Sequence, residues 1–579
     1  MDPTTTEPNA GASSPARVAL ATAALALATF ALLALPDLLF ALLGWPITDL
    51  VKPGSVATLA VIAVLLTLVV SRALRLTIIA FLLVNQVIWL GFLTYFGRVL
   101  GPDQFLLAPY ETVDVALGIL AELPALLASA AVVVATGALL VFIQWRQRHG
   151  VVFRHRAAAW LVAVVVVAGP TFWFAHKKIS VLYPGPQTLS IIGPFQAAVA
   201  ATRVAATSAA SSAQLGVRDQ AVQPVELPEE PMTVVVVMGE SINAHRLSIF
   251  GFERDTTPTL VSWKKTPPQG FELFDKVGFS AGVATFGSVP SFLRMAFWPI
   301  ESDRRGISLF ELAAAGGFKS WYLSAQAQLF LNMAGGAPMA ERVVADDQIR
   351  DRLRAVNDDA LVELANEIPG GIERRFVFFH QRVNHSDYIS NCAHVAASVH
   401  IFPNDDTRAG QRQSNYDNGL RCWDRNVAML AGRFLKEPGA VHIFITADHS
   451  EFMGEGGLWG HSMPDLGAAA VPFILLTNRP QSDVARQFRA MSPPTTYRLA
   501  QTVARALGRN VETPDIPHDK FFMNTTMPFG TAGYMEVDQV APGKYHVITY
   551  SRDGKRIREV EHAEPLVDRD ALTGTAAVN

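Results

Sequence analysis

Apolar positions are arranged in two different ways along this chain. Before residue 180 they form long unbroken runs: Val18 to Leu35 with an extension to Leu43, Val56 to Val70, Leu76 to Tyr95, Leu123 to Phe142, and Ala157 to Gly169 continuing to Phe174. A helix needs about 20 apolar residues to cross the hydrocarbon core, so these runs predict five transmembrane helices. The first begins too far in and runs too long for a cleaved signal peptide, and it is read as retained. Beyond residue 231 the runs are short, β-branched and closed by polar residues, the pattern of buried strands in an α/β domain.

Three of these short runs end alike. Thr233 to Met238 leads into Gly239, Glu240 and Ser241; Arg375 to Phe379 leads into His380; Val441 to Thr446 leads into Asp448 and His449. Ligands of parallel sheets gather at the carboxyl ends of the strands, so one convergent site is expected there. Val471 to Leu476 reads as a further core strand without such an ending. Tyr545 to Tyr550, Arg552-Asp-Gly554 and a stretch to Val560 read as a hairpin. The expected fold is an N-terminal five-helix transmembrane domain (1–180), a membrane-surface helix or connector with a Pro-rich linker (181–231), an α/β three-layer sandwich (232–530), and a C-terminal hairpin and tail (531–579).

Composition supports the division. Half of the 579 residues are hydrophobic, 17% are charged, and mean hydropathy is +0.25, high for a wholly water-soluble chain. A net charge of −3, with no basic cluster interleaved with aromatics, argues against nucleic acid as a partner. Arg72 and Arg75 between runs two and three, and Arg146, Arg148, Arg154 and Arg156 between runs four and five, place those loops in the cytoplasm. The alternate loops carry Asp37, Asp49, Asp103, Glu111 and Asp114. Five spans then put the N-terminus inside and the large domain outside, in the periplasm if the membrane is a bacterial inner membrane. Trp45, Trp89, Tyr95, Trp145 and Trp173 are expected as interfacial aromatics at span ends. The two cysteines, Cys392 and Cys422, either close one loop in an oxidising compartment or stand as separate thiols; their spacing is not that of zinc ligands.

Glu240, Asp448 and His449 offer two carboxylates and an imidazole, a set suited to Zn²⁺ or another divalent ion. Singly, each has a plainer reading as a helix cap or loop residue; their matching positions after buried strands favour the joint one. His461 is open to three readings: ligand, substrate contact or surface histidine. Thr285, in a stretch of Gly, Ser and Ala, reads on its own as loop.

Five ordered blocks carry a more specific signal: Gly239-Glu-Ser-Ile-Asn-Ala-His-Arg-Leu-Ser-Ile-Phe-Gly-Phe-Glu-Arg-Asp-Thr-Thr-Pro258, Ser280-Ala-Gly-Val-Ala-Thr-Phe-Gly-Ser-Val-Pro290, His380-Gln-Arg-Val-Asn-His385, Tyr416-Asp-Asn418, and Asp448-His-Ser-Glu-Phe-Met-Gly-Glu-Gly-Gly-Leu-Trp-Gly-His461. In these blocks the chain resembles the phosphoethanolamine transferases of the sulfatase and alkaline phosphatase superfamily, a likeness that covers the whole C-terminal domain. The resemblance implies a catalytic zinc, one ion or two, held by residues matching Glu240, Thr285, Asp448 and His449. Thr285 is then the nucleophile. His385 and His461 match residues that contact the phosphoryl group or a second zinc. It implies phosphatidylethanolamine as donor and a cell-envelope acceptor, which is lipid A, lipopolysaccharide core or periplasmic glucan, with membrane lipids as surroundings.

Two departures bear on the acceptor. Lipid A enzymes of the family tend to carry Cys-Gly-Thr-Ser-Thr around the nucleophile, where this chain has Ala281-Gly-Val-Ala-Thr285. Where they place an Asn and a Lys on the phosphoryl group, this chain has Trp321-Tyr-Leu-Ser-Ala-Gln326, making Gln326 the candidate substrate contact. A sulfatase needs a convertible Cys or Ser followed by x-Pro-x-Arg, and Ser288-Val-Pro-Ser-Phe292 lacks the arginine. Glycerol-phosphate transferases share the threonine and metal and differ in head group. A non-catalytic sensor or scaffold would be favoured by a missing ligand position, and all are present.

Overall fold

A computed structural model describes residues 15–43, 53–69, 71–96, 100–101, 105, 123–146, 189–212, 216–217, 221–295, 304–305, 307–326, 331, 340–345, 358–385, 388, 392, 399–403, 407–511, 520–525, 533–541, 543–550, 554 and 556–563. The chain divides into two compact units, residues 1–109 with 122–203, and residues 110–121 with 204–579.

The first unit is helical. Its helices are α1 (Pro15–Leu42), α2 (Pro53–Leu68), α3 (Arg72–Phe96), α4 (Leu123–Arg146) and the start of α5 (Gly193–Ser212). Three of them, over Ala19–Leu42, Arg72–Phe96 and Ser129–Arg146, are long and apolar enough to cross a membrane, while the apolar helix Val56–Leu68 is shorter. The fifth expected span, 157–174, lies outside the described residues, as do Trp45 and Trp173. Two expectations need correction. Asp37 belongs to α1, not to a loop, because Pro36 is accommodated within that helix. Trp89 is fully buried inside α3, where it meets Gly193 so closely that a Cβ there would lie 2.4 Å from the indole. Trp145, in the last turn of α4, is exposed. Arg75 lies in the first turn of α3 and is buried; its guanidinium donates to the carbonyls of Val69 (3.2 Å) and Gln144 (2.9 Å), satisfying groups at helix ends that have no partner of their own.

The second unit is built on a seven-stranded sheet. In chain order its strands are β1 (Met232–Gly239), β2 (Glu272–Phe279), β3 (Lys319–Ser324), β4 (Arg342–Val344), β5 (Arg374–His380), β6 (Ala440–Ala447) and β7 (Ala470–Thr477), arranged β2-β7-β6-β1-β5-β3-β4. From β6 to β4 all neighbours are parallel, whereas β7 runs antiparallel to β6 and β2. Its reversed direction explains why Val471–Leu476 ends without chemistry: the end of β7 beside the site is its amino end. Two groups of helices form the outer layers. α6 (Pro258–Lys265), α9 (Asp359–Asn366) and α10 (Arg408–Gly432) pack together, with α10 against β1. α7 (Thr285–Leu293), α8 (Leu309–Ala315), α11 (Asp483–Ala490) and α12 (Thr496–Ala506) make the other layer. β1, β6 and β7 are buried along their whole length, as strands covered on both faces must be.

The tail pairs further than a hairpin. β8 (Lys520–Asn524), β9 (Tyr534–Ala541), β10 (Lys544–Tyr550) and β11 (Arg556–Ala563) form one antiparallel sheet, which spans the expected boundary at 530. Phe279 at the end of β2 stacks on Phe521 and meets Tyr545 edge-on, with both ring centroids 5.1 Å away. Cys392 and Cys422 are joined in a disulfide.

Candidate active site

Register alone brings three groups together. On either side of central β1, Met238 pairs with His380 and Gly239 with Ala447, so Glu240, His380 and Asp448 leave three adjacent strands at one level. All three are buried, as is His449.

The turn after β1 is fastened from both sides. Ser241 adopts a left-handed backbone (φ 57°), a strained conformation for a residue with a side chain. Its N–H donates to Asp448 Oδ1 (3.0 Å) and its hydroxyl to Glu240 Oε1 (2.8 Å). The Tyr416 hydroxyl, from α10, donates to the Ser241 carbonyl (2.6 Å) and accepts from Asn243 N–H (2.9 Å). Below it, Asp417 receives both Arg246 (3.0 Å) and Arg254 (2.9 Å).

Thr285 is the first residue of α7. The loop before it folds tightly onto that helix: a Cβ on Gly282 would lie 2.8 Å from the Gly287 carbonyl carbon, so only glycine fits. The same loop is tied to β8, where Asn524 N–H donates to the Ala281 carbonyl (2.7 Å) and Asn524 Nδ2 to Ser291 Oγ (2.8 Å). The Thr285 hydroxyl thereby reaches Asp448 Oδ2 (2.8 Å), His449 Nε2 (3.2 Å) and Glu240 Oε2 (3.3 Å). His449 Nε2 is also 3.2 Å from Glu240 Oε1 and 3.4 Å from Asp448 Oδ2.

These separations fit a metal. Four ligands at about 2.0–2.1 Å around a tetrahedral zinc stand about 3.3 Å from one another, and the five distances run from 2.8 to 3.4 Å. The orientations fit as well. Asp448 Oδ1 is taken by the N–H groups of Ser241 and His449, leaving Oδ2 facing the cluster. His449 Nδ1 lies 3.0 Å from the Ser450 carbonyl and donates to it, which turns Nε2 toward the cluster as the ligand atom. Electrostatics agree. Burial raises Glu240, reinforced by Asp448; burial would also raise Asp448, but His449 and His380 hold it below its ordinary value. Burial pulls His449 down, yet Asp448 and Glu240 outweigh it and push the imidazole up to about 10. The imidazolium balances these carboxylates, and a divalent ion bound here would take the place of its Nε2 proton.

A second group adjoins the first. His461 Nδ1 is 2.7 Å from Glu451 Oε2, and Glu451 Oε1 accepts from the Tyr388 hydroxyl at 2.7 Å. His461 stacks near His449 (centroids 4.3 Å) and faces His385 at 6.4 Å. His449, Glu451 and His461 also have ligand atoms within 4.8 Å of one another. Burial, then Arg382 and His461, drive His385 down to about 3, so it is neutral at physiological pH. Gln326 does not stand clear of the acid cluster: its amide donates to Glu240 Oε2 at 2.7 Å. Ser280 donates to the Asp448 carbonyl and Ser288 lies 3.5 Å from the Thr285 carbonyl, so neither hydroxyl takes Thr285's place among the carboxylates.

Sequence reasoning left out four contributors. His380, 3.9 Å from Asp448 Oδ2, was marked by its strand ending but not placed among the ligands. Glu451 and Tyr416 lie in the quoted blocks without a role attached. Asn524 gave no signal, because its part depends on a strand 243 residues from the loop it braces.

Comparison with known proteins agrees with this architecture. Residues 232–508 match the protein family described as Sulfatase. A 233-residue stretch is 24% identical to a Kdo(2)-lipid A phosphoethanolamine 7''-transferase of Salmonella typhimurium, covering 38% of this chain; the chain spans about two fifths (39%) of that relative's length. Among solved structures, the integral membrane lipooligosaccharide phosphoethanolamine transferase A of Neisseria meningitidis aligns over 86% of this chain and 96% of its own, with 16% identity and a TM-score of 0.56, which shows a shared fold. The C-terminal periplasmic domain of EcEptC from Escherichia coli aligns over 54% of this chain and 94% of its own, at 18% identity and a TM-score of 0.43. After its apolar helices in sequence, then, this chain carries a domain that matches the sulfatase family over residues 232–508.

Proposed function

We propose that this chain is a multi-pass inner-membrane enzyme whose periplasmic domain transfers phosphoethanolamine from phosphatidylethanolamine to a cell-envelope glycan or glycolipid through a covalent threonine intermediate. The observation that carries the reading is the Thr285 hydroxyl held within 2.8–3.3 Å of Asp448, His449 and Glu240. Glu240, Asp448, His449 and Thr285 would hold zinc, which lowers the pKa of a bound hydroxyl and offsets the charge of the phosphodiester.

The chain's own groups supply the rest. The threonine oxygen, its proton released to solvent beforehand, bonds to phosphorus as the bond from phosphorus to the diacylglycerol oxygen breaks. The first turn of α7 presents the positive end of its dipole to the phosphate. His461, with Nδ1 anchored on Glu451, offers Nε2 to protonate the departing oxygen, and it takes a proton back when the acceptor hydroxyl attacks the phosphothreonine. His385, neutral, serves as a hydrogen-bond partner to phosphoryl oxygens. Gln326 fixes Glu240. Two half-reactions let one cleft serve two bulky substrates in turn.

The test offers the purified full-length protein phosphatidylethanolamine or phosphatidylglycerol as donor, with lipid A, core oligosaccharide and glucan as acceptors. Transfer from the ethanolamine lipid is expected. Exclusive use of the glycerol lipid would replace the head group, and no transfer to any acceptor would reject the reading.

A further inference from the structure

The helical unit buries a carboxylate within an apolar bundle. Asp37 in α1 is 2% exposed, among Leu33, Leu189 and Ile191, which are themselves buried. Its Oδ2 accepts from Ser190 N–H at 3.2 Å. Gln86 of α3, fully buried, donates from Nε2 to the Leu33 carbonyl (3.1 Å) and to Ser190 Oγ (3.0 Å), so the acid and the amide converge on one serine. Asp37 Oδ1 and Gln86 Oε1 are both buried and have no hydrogen-bond partner.

That arrangement is costly unless something fills it. An unpaired anionic oxygen away from water loses its hydration with no return, and ionisable groups in membrane helices mark binding or transport sites. The buried Arg75 does not serve: it is committed to the carbonyls of Val69 and Gln144, and it precedes Gln86 by three turns of α3, about 16 Å along the axis. Two open acceptors, one of them charged, match a small cation that brings several N–H donors, which is the inventory of a primary ammonium.

Depth narrows the source. The apolar part of α1, Ala19–Leu42, has 24 residues and is about 36 Å long, exceeding the ~30 Å hydrocarbon core, and Asp37 lies about 8 Å from its carboxyl end. The site is therefore about 10 Å from the middle of the helix and about 5 Å inside the edge of the hydrocarbon core, within reach of a head group drawn in from one membrane face. The Leu189–Ile192 turn that supplies Ser190 is non-helical backbone inside a helical bundle, tolerated at such depth where it is covered by protein or lines a cavity.

We propose that Asp37 and Gln86 bind the primary ammonium of a lipid head group, which makes the helical unit a selector for ethanolamine lipids. This rests on the reading of phosphatidylethanolamine as donor. A choline head group has no N–H to give these oxygens, and a glycerol head group has no positive charge.

The experiment uses full-length protein carrying Thr285→Ala, so that bound lipid is not consumed, equilibrated with equal amounts of phosphatidylethanolamine and phosphatidylcholine of matched acyl chains. Retained lipid is read by native mass spectrometry. The parent should enrich the ethanolamine lipid about tenfold, as expected for a charge-assisted contact worth about 1.4 kcal/mol. Asp37→Asn, which keeps an acceptor for Ser190, should bring the ratio to near one. Gln86→Met should lower it and stands in if the first variant misfolds. No enrichment in the parent, or the same enrichment in both variants, would overturn the site. Retention of free ethanolamine as tightly as the lipid would overturn the lipid assignment. If transfer from phosphatidylethanolamine is observed while the ratio ignores Asp37, this site fails and the proposed function stands; the converse result separates them the other way.

Discussion

Replacing Tyr416 with phenylalanine removes one oxygen, and the structure says what that oxygen holds. It donates to the Ser241 carbonyl and accepts from Asn243 N–H, at 2.6 and 2.9 Å, both groups belonging to buried residues of the turn that carries Glu240. Phenylalanine fills the same space, so no cavity term enters; the cost is two buried backbone groups left without partners, about 1–3 kcal/mol each. Relaxation of the left-handed Ser241 recovers about 1 kcal/mol of that. The expected loss is about 1–5 kcal/mol, read as a lower urea midpoint at unchanged slope for the detergent-solubilised protein. Ser241 also fastens Asp448 and Glu240, so zinc retention against a chelator should fall about tenfold or more. A variant within 0.5 kcal/mol of the parent and with parental zinc affinity would refute the claim that α10 braces the metal turn.

Other substitutions probe separate parts of the account. Gln326→Leu frees Glu240 Oε2 and should weaken zinc binding and turnover about 10- to 100-fold, measured by chelator competition and transfer rate; equal affinity would return Gln326 to a purely substrate-contacting role. His442 is driven by burial, then by Arg479, down to about 4, so the unfolded chain takes up a proton that the folded one refuses as pH falls from about 6.5 to 4. Stability should therefore drop with acid by up to about 3 kcal/mol over that window, and His442→Gln should flatten the fall; parallel pH curves would contradict this. Reducing the Cys392–Cys422 bond, which links residues 30 apart, should cost about 3–4 kcal/mol of stability, visible as a lower urea midpoint with reductant present.

How far the sequence reached depended on whether a residue's role is local. β1, β5 and β6 were readable because a buried parallel strand is an apolar run, and its chemistry sits at a fixed end. Glu240, Asp448, His449 and His380 follow from that rule, and the register of the three strands supplies the rest. β7 has the same composition, yet nothing in a continuous apolar run records direction, and its antiparallel course emerges only from pairing. Thr285 came from resemblance alone, since one hydroxyl in a Gly/Ala/Ser stretch has no periodicity; Asn524 and Tyr416 act across long separations that no local pattern encodes. In the helical unit, hydropathy found the apolar runs but assigned Asp37 to a loop. A carboxylate in a membrane helix is tolerable only with partners from elsewhere, and Ser190 and Gln86 are distant in sequence.

The central claim is that Thr285 is the nucleophile of a two-step transfer. Incubating the full-length protein with phosphatidylethanolamine and no acceptor, then mapping peptides by mass spectrometry, tests it most directly. The account predicts one phosphoethanolamine group on Thr285, discharged when acceptor is added, with neither adduct nor turnover in Thr285→Ala. An adduct on Ser280 or Ser288, or full turnover in Thr285→Ala, would contradict it.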